Sequence, residues 1–207
     1  FVVLTIRRPP SSTLLPSTTL FRSYAIFEDG TAEQLSERTE DFMGYAPHPT
    51  NASLLFASGH PRGGGSMGLM ISEDSGRSWK KRSDGARGPV DFHQLVVSLA
   101  DPQAMYGSFR GLQKSTDGGK TWKITGTTPK GMIDLSTSTR RSNWLYAATE
   151  TGLMHSGNGG RSWQPPYAPG KAVTLVPVTA SGNVYAYVFG QVLAKAKERS
   201  ARPEERR

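Results

Sequence analysis

The chain has 207 residues, with 25 Lys and Arg against 17 Asp and Glu, a formal net charge of +8 and no cysteine. That length holds one domain with a sizeable core or two small ones, and the missing cysteines exclude disulfides, thiolate zinc sites and cysteine nucleophiles. The 23 glycines and 14 prolines predict many turns rather than long helices.

The distribution of charge removes most of its meaning. Residues 1–22 carry +3 and residues 191–207 carry +3, whereas residues 23–190 hold 16 bases against 14 acids. A phosphate-binding surface needs bases clustered on one face, so nucleic acid is not an expected partner. No stretch approaches 18 apolar residues, so no membrane span is expected in this chain.

At the start, FVVLTI precedes RRPP, the reverse of the basic-then-apolar order of a signal peptide. Residues 9–22, PPSSTLLPSTTLFR, show no sustained strand or helix period. They resemble a translated sequencing-adapter remnant, and residues 1–22 are expected to be a non-native or disordered leader. The chain begins at Phe1 rather than Met, which points to a truncated reading. YAIFED (24–29) reads as an outer strand of a preceding unit.

Residues 42–190 are organised by a repeat. SEDSGRSW (72–79), STDGGKTW (115–122) and SGNGGRSW (156–163) align directly, with Trp79, Trp122 and Trp163 spaced 43 and 41 residues apart. Each follows a Gly-Leu pair at the same interval, and LLFAS (54–58), AMYGS (104–108) and WLYAA (144–148) lie further upstream. The unit reads as four short strands, and a period of about 40–50 residues with four strands marks a propeller blade. Glycines inside every repeat oppose a helical solenoid.

The aligned segments have a local task. Asp74, Asp117 and Asn158 offer short acceptors for turn N–H groups. Gly76, Gly119 and Gly160 admit left-handed backbone, Ser72, Ser115 and Ser156 bond across the turn, and the three tryptophans fill space between blades. An EF-hand loop needs oxygen ligands at about six positions over twelve residues. Each segment supplies one or two, so no metal and no cofactor is expected.

The three segments resemble the Asp-box, or bacterial-neuraminidase repeat, Ser-x-Asp-x-Gly-x-Thr/Ser-Trp. Residues 91–122 look most like bacterial exported or lipid-anchored Asp-box proteins catalogued as glycosyl hydrolases. The resemblance implies an all-β propeller of the sialidase-like superfamily and an exported, extracytoplasmic or cell-envelope location. Sialidase chemistry does not carry over. The Arg-Ile-Pro motif is absent, Arg77 and Arg161 lie inside the boxes, and Arg62 and Arg110 alone do not make an arginine triad.

Placing the boxes between third and fourth strands assigns the opposite face to two loop sets. One comprises residues 59–68, 109–111 and 149–152, and the other 82–91, 125–131 and 165–170. His60, Arg62, His93 and Arg110 become ligand-face candidates, and Asp91 and Glu150 weak catalytic candidates, a glycosidase pair if about 5–9 Å apart. Blades are expected at 42–81, 91–123 and 131–164, with a partial fourth at 172–190 and a charged tail at 191–207. The expected fold is therefore an incomplete arc of about three and a half blades. Two functional readings follow: a carbohydrate-directed, glycosyl-hydrolase-like propeller, and a non-enzymatic scaffold that binds a ligand or protein, as receptor and photosystem-assembly propellers do.

Overall fold

Short apolar runs punctuated by Gly, Pro and Asx turns pair only with their neighbours in sequence. The computed structural model describes residues 4–6, 12–16, 23–27, 30–35, 41–61, 63–190 and 194–197, divided into two units, Phe1–Gly126 and Thr127–Arg207. Among the described residues every regular element is a β-strand, each sheet follows chain order, and every ladder is antiparallel.

The first unit holds three four-stranded sheets. One consists of β1 (Leu4–Ile6), β2 (Ser12–Pro16), β3 (Ser23–Phe27) and β4 (Ala32–Gln34). β1 and β2 lie within residues 1–22, and Leu14 pairs with both Leu4 and Ala25. A ladder needs backbone donors and β-compatible Thr and Leu rather than a long apolar period. β3 covers most of the YAIFED run and is third in its sheet, not outermost. The second sheet is β5 (Asp41–Pro47), β6 (Leu55–His60), β7 (Leu69–Ser72) and β8 (Lys80–Ser83). The third is β9 (Gln94–Val97), β10 (Met105–Ser108), β11 (Leu112–Ser115) and β12 (Lys123–Gly126).

The second unit holds β13 (Met132–Thr137), β14 (Leu145–Thr149) and β15 (Gly152–Ser156) in one sheet, and β16 (Val173–Leu175), β17 (Asn183–Val188) and β18 (Ala194–Lys197) in another. The fourth strand expected near Trp163 shrinks to a bridge between Leu153 and Tyr167 and one bond from Gln164 N–H to the His155 carbonyl. Pro165 and Pro166 follow at once, and proline has no N–H for a ladder. Conversely, β18 adds a third strand where none was expected, pairing Asn183–Ala186 with the lysine-bearing segment 194–197.

Each repeated hairpin is tied by one serine. Ser72 Oγ donates to Asp74 Oδ1 at 2.8 Å and accepts the Gly76 N–H at 2.8 Å. The same bonds recur at 2.7 and 2.9 Å around Ser115, and at 3.0 and 2.9 Å around Ser156. Asp74 also accepts the Ser78 N–H and hydroxyl, and Asp117 those of Thr121. Asn158 keeps the first bond and reverses the second, its Nδ2 donating to Ser162 Oγ at 2.8 Å. Gly76, Gly119 and Gly160 have φ of +92°, +79° and +82°, the left-handed region that glycine enters at no steric cost. Preceding them, Ser75, Gly118 and Gly159 donate backbone bonds to Ser53, Gln103 and Asn143, anchoring each hairpin to the turn between first and second strands.

The tryptophans serve unequally. Trp122 is buried in the core between the second and third sheets with Phe56, Leu69, Ile71 and Phe92, and its indole N–H donates to Ser83 Oγ at 3.2 Å. Trp79 packs on Phe42 and Leu35, its N–H donating to the Gly76 carbonyl. Trp163, without a fourth strand to open, is half-buried, and its buried indole nitrogen has no partner. Exposed ion pairs such as Arg77–Glu33 and Lys81–Asp84 are worth about 0–1 kcal/mol each. Burying a tryptophan ring contributes more, so packing and the serine-centred bonds dominate.

Two consequences are measurable. A Cβ on Gly107 would lie 2.5 Å from the Phe92 ring, so Gly107→Ala is expected to cost about 1–3 kcal/mol in urea unfolding. Burial raises the Asp117 carboxyl pKa, but bonds from Thr121, Ser115 and Lys120 outweigh it and hold the pKa below the usual carboxylate range. That contribution is present above the unfolded carboxylate pKa of about 3.9 and is lost as pH falls towards the folded value. Asp117→Ala is expected to cost about 0.5–2 kcal/mol at pH 7. Asp117→Asn, with the chemistry already present at position 158, is expected to cost less and to flatten the loss of stability between pH 5 and pH 2 (both approximate) in urea titrations.

Candidate functional site

In the first unit the ends of the strands opposite the hairpins gather a charged constellation. Asp41 opens β5 and is the ladder partner of His60, which closes β6. The buried Ser58 hydroxyl donates to the Val90 carbonyl at 3.3 Å and accepts the Phe92 N–H at 2.9 Å. This clamps the loop before β9 onto β6 and places Asp91 over His60. His60 then lies between two carboxylates, with Nε2 3.3 Å from Asp41 Oδ2 and Nδ1 3.2 Å from Asp91 Oδ2. His93 Nε2 approaches the same Asp91 oxygen at 3.5 Å. Asp91 is almost wholly buried, and its other oxygen has no partner.

The structure thus joins three residues expected on this face, His60, Asp91 and His93, and adds Asp41. His93 is exposed, and the β9 ladder begins one residue later, at Gln94. Arg62 lies outside the described residues. Glu150 belongs to the second unit, where it is exposed and folds over Gly131, its N–H donating to the Gly131 carbonyl at 2.9 Å. Asp91 and Glu150 are therefore not joined as one site within either unit. Among the described residues no hydroxyl is hydrogen-bonded to the imidazole of His60 or His93. No group of three or more His, Asp or Glu among them is placed to hold a metal ion.

Beside this constellation lies a cleft of about 140 Å³, bounded by Arg87, Pro89, Val90, Phe109, Arg110 and Ile124. Arg110 has a left-handed backbone, φ +52°, unusual for a residue with a side chain, and its guanidinium lies 5.1 Å over the Phe109 ring. Arg87 sits in a tight turn closed by reciprocal bonds between Gly85 and Gly88. Buried Gln113 braces both turns: Oε1 accepts the Ala86 N–H at 2.9 Å and Nε2 donates to the Phe109 carbonyl at 3.2 Å.

Asp41, Ser58, Arg87, Phe109 and Gln113 were not singled out from the sequence. Gln113 stands where the other two repeats have Met70 and Met154, and that difference was the available signal for it. Asp41 could be found only by pairing β5 with β6 in register.

No protein-family model and no curated protein matches the sequence. Solved structures do match its fold. The GH74 xyloglucanase from Xanthomonas campestris superposes with a TM-score of 0.68 at 16% identity, over 94% of this chain and 36% of that one. An ancestral GH74 enzyme gives 0.64 at 15% identity, over 90% and 27%. YCF48 bound to D1 peptide gives 0.60 at 15% identity, over 94% and 64%. The chain therefore has the β-propeller fold, with antiparallel sheets of four strands in the first unit and of three described strands in the second, and spans less than two thirds of the length of each of these relatives. At such identities the likeness establishes the fold alone.

Removing His60 would leave the Asp41 carboxylate facing that of the buried Asp91. His60→Ala is expected to destabilise by about 1–3 kcal/mol. Adding Asp91→Asn to that variant should recover part of the loss, measured as urea midpoints of the single and double variants.

Proposed function

We propose that this chain is the ligand-binding portion of an Asp-box propeller of the sialidase-like superfamily. In this reading it is carbohydrate-directed through the face opposite the hairpins and without a hydrolytic carboxylate pair of its own. The observation that carries this reading is His60 between Asp41 and Asp91. Glycoside hydrolysis needs two carboxyl groups flanking the scissile bond or its attacking water, and here an imidazole fills the space between the two nearest carboxylates. The polar rim of His60, His93, Arg87 and Arg110 beside the Phe109 ring suits a hydroxylated ligand, because planar polar groups fix orientation while an aromatic face supplies apolar contact.

The carbohydrate direction is supported by the repeated boxes and by propellers of the same fold that are described as xyloglucanase and GH74 enzymes. A scaffold that binds a protein segment is the second reading, favoured by the same likeness to YCF48 bound to D1 peptide. An extracytoplasmic location, implied by the box resemblance, belongs to the first reading. Among the described residues no helix is long and apolar enough to cross a membrane.

The test pairs two assays on the chain. Reducing-end release from xyloglucan and from sialylated and uronate-containing glycans is expected to stay at background, while affinity electrophoresis in the same glycans shows retardation. Turnover abolished by Asp91→Asn in protein that remains folded would overturn the non-hydrolytic reading. Absence of retardation in every glycan would overturn the carbohydrate direction.

A further inference from the structure

The third box differs from the other two in a reactive respect. Asn51, Asn143 and Asn183 precede Ala, Trp and Val, whereas Asn158 precedes Gly159. Asparagine is a thermolabile side chain, and it is most open to attack by its own backbone where the next residue has no Cβ to hinder the approach. In that reaction the Gly159 nitrogen bonds to Asn158 Cγ, and Nδ2 leaves as ammonia with the proton of the Gly159 N–H. Water then opens the cyclic imide. Breaking the bond from nitrogen to Cγ leaves aspartate, and breaking the bond from nitrogen to the backbone carbonyl carbon leaves isoaspartate.

The closed hairpin engages both reacting groups. The Gly159 N–H donates to the Asn143 carbonyl at 2.7 Å. Asn158 Oδ1 accepts from Ser156 Oγ and from the Ser162 N–H, each at 3.0 Å, and Nδ2 donates to Ser162 Oγ at 2.8 Å. Cyclisation must break the Gly159 and Nδ2 bonds, so it proceeds from an opened hairpin, the kind of local opening that exposes what the closed fold protects. This hairpin is also the least secured of the three. β8 and β12 follow the first two boxes and pair with β7 and β11. After the third come a single bond from Gln164 and the bridge at Tyr167, and Trp163 is half-buried where Trp79 and Trp122 are buried.

The product has a place prepared for it. Asp117 stands before Gly118 in the same setting, its carboxylate accepting the Thr121 N–H and hydroxyl at 2.9 and 2.6 Å while the Gly118 N–H donates to the Gln103 carbonyl at 3.0 Å. An aspartate at position 158 reproduces that box once the Ser162 hydroxyl turns from acceptor to donor, and a carboxylate makes the stronger bond. Isoaspartate lengthens the backbone by one carbon and upsets the spacing on which the serine-centred bonds depend.

We propose that Asn158–Gly159 is a self-modification site: when its hairpin opens it deamidates, and the aspartate that forms completes the third box and closes it more firmly. The reaction consumes only water, and it stands apart from the ligand-binding reading of the opposite face.

The test incubates the chain at mildly alkaline pH and follows conversion by peptide mapping in a mass spectrometer, with aspartate and isoaspartate separated by chromatography. Wild type is compared folded and in urea, beside Ser156→Ala and Ser162→Ala, each checked for folding by circular dichroism. Conversion is expected at Asn158 ahead of the other asparagines, and about tenfold or more slower in the folded chain than in urea. Each serine variant should speed it about threefold to tenfold, as loss of one hydrogen bond holding the hairpin shut predicts. Should Ser156→Ala not fold, Ser162→Ala, which removes the acceptor of the exposed Nδ2 bond, carries this arm alone. Asn158→Asp is expected to unfold at a higher urea midpoint than wild type at neutral pH. Equal rates in the folded and unfolded chain, equal conversion at Asn51, Asn143 or Asn183, or no acceleration in a folded serine variant overturns the gated site. Isoaspartate as the sole product, or an Asn158→Asp midpoint at or below that of wild type, overturns the completion of the box.

Discussion

A serine hydroxyl that donates to an acid or amide two residues ahead and accepts a glycine N–H four residues ahead is the contact on which each repeated blade depends. It closes a turn whose backbone enters the left-handed region, where only glycine is unstrained. It also leaves the preceding N–H free to bond the turn between first and second strands, at Ser53, Gln103 and Asn143. One hydroxyl thereby ties the turn after the third strand to the turn between the first and second, at the same end of its sheet. The opposite strand ends are released from that duty, and there the charged side chains gather.

That division of labour orders the energetics of the first unit. Its core between sheets is aromatic and aliphatic, with the Phe92 and Trp122 rings 4.8 Å apart, and it tolerates so little that Gly107 has no room for a methyl group. Polar side chains enter only where they hold backbone in place. Ser58 holds the loop before β9, Ser83 receives the Trp122 indole, and Gln113 braces two turns. In the second unit Asp134 has a comparable part, accepting the Val176 N–H and so joining β13 to the segment after β16. Burial pushes its carboxyl above the usual range, and bonds from Val176 and Leu135 offset part of that rise.

The geometry of the repeated hairpins was legible because their serine-centred bonds join residues at most four apart, so spacing alone exposes them. Trp79, Trp122 and Trp163 could be aligned for the same reason, but their burial could not be foreseen, since it depends on which strands form beside them. The loss of the fourth strand of the third blade was not foreseen, although Pro165 and Pro166 follow Trp163 directly. The candidate site was half legible. His60, Asp91 and His93 were placed on one face by strand alternation, whereas Asp41 joins them only through the register of β5 on β6, 19 residues apart. Gln113 and Arg87 meet through a loop-to-strand contact 27 residues long between Ala86 and Gln113, and local pattern does not encode such contacts.

The proline pair after Trp163 has a further consequence. A three-stranded blade exposes the outer edge of β15, and an open edge is a template on which a foreign strand can nucleate aggregation. Tyr167 caps the Leu153 position with reciprocal backbone bonds, and Gln164 covers His155. Between them stand two residues that cannot donate. The segment therefore shields the edge without extending the sheet, so its irregularity acts as a guard against self-association.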